Sequence, residues 1–177
     1  ECYGSIEDSK VVVLSFLIGL FHDMTDNRIN FVNASMIAEE RGISFSHSYN
    51  TEATSFANLI VANIVTEDGS IEVSGSVFGS EYPRIVSIMG YEMDVRAEGN
   101  MLFIQNKDVP GVIGKVGMML GENSINIAEY ILSRTSKEDS AYSVIKYDGD
   151  IGADLLFKLK EIQEILNVKQ LNVWYLW

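Results

Sequence analysis

Two periods of hydrophobic and polar alternation run through this chain, and the switches between them mark its elements. Val11 to Phe21 is apolar except for Ser15 and Gly19, which predicts a buried helix too short to span a bilayer. Asn33 stands where a cap belongs before the short helix MIAEER, and Gly42 where that helix should end. Ile43, Phe45 and His47 alternate with serines at strand spacing, so His47 is read as a packing or rim residue of a strand face against the alternative of a catalytic one. His22 on the apolar helix carries the same two readings. Phe56 to Thr66, the turn Glu67-Asp68-Gly69-Ser70, and the alternating Ile71, Val73 and Val77 predict a hairpin, with Gly75 and Gly79 marking bulges or close backbone approach. Arg84 to Met89, Gly90, and Tyr91 to Ala97 predict a second hairpin.

After Ala97-Glu98-Gly99 the pattern changes. Strand 101–107 has apolar residues on both faces. It is followed by a helix over 110–121, a strand over 126–134, a polar turn at Ser136-Lys137-Glu138-Asp139-Ser140 and a strand over 141–148. A helix with Leu155, Leu159, Ile162 and Leu166 on one stripe comes next, then a last strand with Leu171, Val173 and Tyr175 on one face. The order is βαββαβ, the ferredoxin-like arrangement. The fold class is therefore α/β (α+β) in two domains. Residues 1–98 form an α/β unit with two leading helices and a mostly antiparallel sheet, and residues 99–177 form the ferredoxin-like unit. Its short sheet edges make edge-to-edge pairing with a second copy physically natural.

Charge sharpens the division. The chain has 13 basic and 25 acidic residues, a net charge of −12, which argues against nucleic acid or an anionic membrane as partner. The acidity is concentrated before Glu98. One cysteine, Cys2, cannot close an internal disulfide, and no His/Cys cluster offers a metal set, so a reducing cytoplasm is expected and no metal. Glu1, Glu7 and Asp8 ahead of the apolar helix are wrong for a signal peptide. The opening ECYGSIEDSK, without an initiator Met, reads as a piece of something longer.

The candidate chemistry lies in NKDVPGVIGKVGMMLGENSIN, from Asn106 to Asn126. Pro110 has the fixed φ and missing N–H of a first helical position, and Val112, Val116, Met119 and Leu120 form one apolar stripe before Gly121 and Asn123 stop the helix. The free N–H groups of Gly111, Val112 and Ile113 would leave the helix start where the macrodipole favours a carboxylate, and Gly111 has no Cβ to hold a ligand away. The oxygens of Asp108 are placed to meet an ammonium. A second reading stands beside this one: Asp108 as a helix cap and Asn126 as a turn residue. Gly111, Gly114, Gly117 and Gly121 read as a face for close packing.

Residues 99–177 resemble an ACT domain, and nearly the whole chain is similar to the C-terminal regulatory half of long-form D-3-phosphoglycerate dehydrogenases. The resemblance is carried by INFVNASMIAEERGI, by GSVFGSEYPRIVSIMGYEMDVRAEGN and by LFIQNKDVPGVIGKVGMMLGENSINIAEYILSR, in that order. It implies an intervening allosteric substrate-binding domain followed by an ACT domain that pairs with another to bind L-serine, the end product of the pathway. Carried over by position, Asn106 and Asp108 would contact serine from one subunit and Asn126 from its neighbour. The loop Val109, Pro110, Gly111, Val112 and Ile113 would supply backbone N–H groups. Arg84 and Arg96 match positions that hold an anionic effector or substrate phosphate, or else they pair with local acids such as Glu81 or Asp94. Ser35 stands where relatives have proline, and Tyr91 where some have a further basic residue.

The resemblance also implies upstream catalytic domains that use NAD to oxidise 3-phosphoglycerate. This chain contains no G-x-G-x-x-G and no catalytic acid/base set, so catalytic residues and cofactor belong outside it. Two further functions remain open on sequence: the regulatory portion of an iron–sulfur L-serine dehydratase, and a free-standing amino-acid sensor. Ser44-Phe45-Ser46-His47-Ser48 is a poor match to the serine-rich segment expected of the first.

Overall fold

The computed structural model describes residues 1–173 apart from 7, 23, 25–27, 53, 80 and 136–138. The chain divides into two compact units, Glu1–Ala62 and Asn63–Trp177.

In the first unit β1 (Cys2–Gly4) lies between β2 (Tyr49–Asn50), its parallel neighbour, and the start of β3 (Asn58–Thr66), its antiparallel one. Helix α1 (Ser9–Phe21) is capped by Asp8, whose side chain accepts the Val11 N–H at 3.1 Å. It packs on α2 (Ala34–Glu40) through Leu17, Phe21, Ala34 and Ala38. The prediction of a buried α1 needs correction: only Leu17 and Phe21 are buried, and Val11 and Phe16 are exposed, because a two-helix layer covers one side of a helix that is apolar all round.

Asn33 occupies the cap position of α2 without a capping bond, since its side chain is turned back to Asn30 N and Arg28 O. Gly42 ends α2 as expected, with φ +72°. Residues 43–48 form no strand. His47 is exposed, with Nδ1 2.9 Å from Ser9 Oγ, and so lies at the rim.

The second unit has three layers. Strands β4 (Gly69–Phe78), β5 (Tyr82–Ile88) and β6 (Tyr91–Val95) lie side by side and antiparallel, with a bulge at Ser74/Gly75. The β5–β6 turn is Met89-Gly90, both residues at positive φ, as a two-residue hairpin of matching twist requires. The middle layer is a four-stranded sheet in the order β10-β7-β9-β8, formed by β7 (Gly99–Lys107), β8 (Asn126–Arg134), β9 (Ser140–Asp148) and β10 (Ile165–Val173). Helices α3 (Val112–Glu122) and α4 (Ala153–Lys160) cover one face through Leu102, Ile104, Val116, Leu120, Ile145 and Leu159. On the other face Met101, Phe103 and Val144 pack with Ile88 and Val95. That second layer explains why β7 is apolar on both sides.

The ferredoxin-like βαββαβ order is present, and the sequence boundary at 98/99 falls inside this unit. The stripe expected to carry α4 through Leu166 stops earlier. The chain turns at 161–164, and Leu166 is an exposed residue of β10. Tyr175 lies outside the described residues.

Candidate functional site

Strands β7 and β8 both pair antiparallel with β9, so they run parallel to each other and their C-terminal ends meet at the same edge of the sheet. Ala141 of β9 faces Asn106 on one side and Arg134 on the other. At this edge β7 leaves the sheet through residues 108–111 and enters α3, and between them opens a cleft of about 400 Å³. Its lining includes Asn106, Asp108, Gly111 and Arg134, with Val109, Pro110, Val112, Ile113 and Leu132 completing the walls.

The local geometry is tightly specified. The Asp108 N–H donates to Asp139 O at 3.0 Å and the Val109 N–H to Lys107 O at 2.9 Å, which turns the chain sharply off the sheet. Gly111 sits at the cap of α3 with φ +95°, a conformation that L side chains rarely adopt. The helix therefore begins at Val112 rather than at Pro110, because the left-handed Gly111 separates the proline from it. The first helical bond runs from Lys115 N to Gly111 O, which leaves the N–H groups of Val112 and Ile113, with that of Gly111, outside the helical ladder.

Within the chain, Gly111, Gly114, Gly117 and Gly121 pack closely against none of the described residues, since an added Cβ at any of them meets nothing within 4 Å. Nor is Gly121 a stop signal. Helix α3 ends in a Schellman motif, Ile125 N to Leu120 O at 3.0 Å and Ser124 N to Gly121 O at 2.9 Å, with Ser124 in the left-handed position at φ +62°.

Asn106 is 3% exposed. Its amide nitrogen donates to Lys107 O at 2.8 Å, and its Oδ1, buried, has no partner among the described residues. A buried acceptor without a donor is costly to leave unmet. Asp108 Oδ1 lies 3.1 Å from Arg134 Nε, an ion pair absent from the sequence reading. Arg134 and Leu132 were both missed there. The available signal was topological: βαββαβ order alone aligns the end of β8 with the end of β7.

Asn126 is not brought to this cleft within one chain. It pairs with Asp148 at the opposite end of β8, its Nδ2 2.8 Å from Asp148 Oδ2, and that register position is seven residue steps along β9 from Ala141, about 23 Å.

Arg84 on β5 and Arg96 just after β6 flank the Ile85–Val95 pair, the last of that ladder. Each has an acid beside it: Arg84 Nη1 lies 3.3 Å from Asp94 Oδ1 and Arg96 Nη1 3.1 Å from Glu98 Oε1, which also takes Lys146 Nζ at 3.4 Å. Glu81, the other acid considered, is not among these partners. Tyr91 is buried, its ring 5.4 Å from that of Tyr142.

Residues 3–89 match the D-3-phosphoglycerate dehydrogenase intervening domain. Over 94% of its length the chain is 30% identical to a D-3-phosphoglycerate dehydrogenase of Bacillus subtilis, of which it covers 32%. It is 32% identical to the Mycobacterium leprae enzyme over 84% of its length and 33% identical to that of Archaeoglobus fulgidus over 76%, covering 29% and 26% of those proteins. The chain belongs to the D-3-phosphoglycerate dehydrogenase family. It corresponds to a regulatory-like portion of these proteins, spanning about a third of the length of the curated relatives it matches. Among the described residues no helix is long and apolar enough to cross a membrane.

Proposed function

We propose that this chain is the regulatory portion of an NAD-dependent D-3-phosphoglycerate dehydrogenase of L-serine biosynthesis, and that its ferredoxin-like module is an ACT domain that binds L-serine where two such modules meet. The observation that carries this reading is the convergence of Asn106, Asp108 and the open N–H groups of Gly111, Val112 and Ile113 on one cleft at the end of β7. A serine carboxylate fits the helix start, its ammonium fits Asp108, and its hydroxyl or ammonium fits the unpartnered Asn106 Oδ1. Asn126 lies too far along β8 to complete the site in its own chain, which agrees with its being supplied by a second copy.

Bound serine would favour one arrangement of the paired modules over others, a coupling of about 1–3 kcal/mol transmitted to catalytic domains upstream. Those domains would hold NAD and 3-phosphoglycerate, and the whole would work in the cytoplasm as a homo-oligomer. Arg84 on β5 and Arg96 just after β6 are proposed to hold an anionic effector by exchanging their acid partners for it.

Calorimetry and thermal melts of this chain with L-serine test the principal reading. Heat of binding and a melting temperature that rises with serine are expected. No heat and no stabilisation at millimolar serine would overturn it.

A further inference from the structure

Asp108 and Arg134 form an ion pair on the wall of the cleft, with the Asp108 side chain 32% exposed and that of Arg134 66% exposed. Pairs as open to solvent as this one are weak, so the partners can be exchanged at little cost. Arg134 meets Asp108 through Nε, and among the described residues its guanidinium makes no ion pair with any other acid. A guanidinium has five N–H donors in a planar fork suited to a carboxylate. The buried, unpartnered Oδ1 of Asn106 on the same cleft is an independent sign that a ligand donor belongs there.

We propose that Arg134 is the carboxylate-recognising side chain of this cleft, and that its pair with Asp108 is the contact an incoming zwitterion replaces, ammonium to Asp108 and carboxylate to Arg134. The inference rests on the amino-acid-binding reading above and adds a specificity rule to it. An amine without a carboxylate would take Asp108 and strand the guanidinium, and a carboxylate without an amine would strand Asp108. Only a ligand bearing both charges on one carbon re-pairs both residues. The two charged side chains of the cleft thus neutralise each other, which discriminates against either half of the ligand.

The test titrates L-serine, ethanolamine and 3-hydroxypropanoate by calorimetry into the unaltered chain, Arg134→Ala and Arg134→Lys, with thermal melts to verify folding. The unaltered chain is expected to bind serine at least 100-fold more tightly than either half-ligand. Arg134→Ala should lose at least tenfold in serine affinity and most of the preference for serine over ethanolamine. Arg134→Lys, which keeps the charge without the fork, should fall between. If serine binds Arg134→Ala as tightly as the unaltered chain, or more tightly, the role of Arg134 is overturned while the serine site survives. If serine binds neither, both fall.

Discussion

Tyr91 on β6 and Ser140 at the start of β9 are joined by a buried hydrogen bond of 2.6 Å between their hydroxyls. The bond ties the β4–β5–β6 layer to the sheet one residue from Asp139, whose carbonyl accepts the Asp108 N–H at the mouth of the cleft. Burial followed by the neighbouring Tyr91 raises the Tyr142 phenol above its ordinary value, as a closely packed aromatic layer should. Tyr91→Phe keeps the ring and removes the bond. It should lower stability by about 0.5–1.5 kcal/mol, read as a lower urea midpoint with an unchanged m-value.

Alanine at two nearby glycines should have opposite effects. Gly111 needs its positive φ, so Gly111→Ala should cost about 1–2 kcal/mol even though the new methyl meets nothing within 4 Å. Gly114 lies inside α3, also with free space around it, so Gly114→Ala should gain up to about 1 kcal/mol from helix propensity. Urea unfolding of both variants checks the pair of signs, and the same sign for both would contradict the geometry given for this turn.

Asp108→Ala and Asn126→Ala remove exposed side chains that make surface contacts only. Each should alter stability by no more than about 1 kcal/mol and abolish the thermal shift produced by L-serine. Unfolding of either variant would instead make these residues structural.

Arg84→Ala combined with Arg96→Ala should remove binding of inorganic phosphate or a phosphorylated acid to the chain. The measurement is a calorimetric titration of the double variant beside the unaltered chain. Equal binding in both would refute the anion site and leave Arg84 and Arg96 as partners of Asp94 and Glu98.

Glu164 accepts a hydrogen bond from Lys115 Nζ at 2.6 Å, and this bond is the main reason its carboxyl lies below its ordinary value of 4.5. A carboxylate depressed on folding stabilises the fold above its unfolded pKa and loses that contribution as pH falls through the folded value. Lys115→Met should therefore melt below the unaltered chain at pH 7, and the gap should close as pH is lowered below about 4.5. Thermal melts from pH 7 to pH 3 check this, and a constant gap would mean that Lys115 acts by packing alone.

Several elements were legible because local pattern and tertiary demand agree. The apolar run Met101–Ile104, filling both faces of one strand, the helical stripe of Val112, Val116 and Leu120, and the apolar Tyr130, Ile131 and Leu132 of β8 agree with the elements they form, and their order specifies the ferredoxin-like sheet. Where local pattern was ambiguous the reading failed. Ile43, Phe45 and His47 alternate, yet all three lie outside any strand. Leu166 continues a helical stripe by spacing, yet it belongs to β10. Periodicity states which residues share a face and does not state whether a partner surface is there to bury it.

By itself, then, the sequence determined most elements of the second unit, their order, and the residues around the start of α3 that could meet a zwitterion, because caps, turns and periodicity act over a few neighbouring positions. Tertiary structure alone decided that Arg134 faces Asp108, that Asn106 keeps a buried acceptor without a donor, and that Asn126 stands at the other end of β8. Those relationships depend on strand register across β9, which joins residues distant in sequence and leaves no local trace.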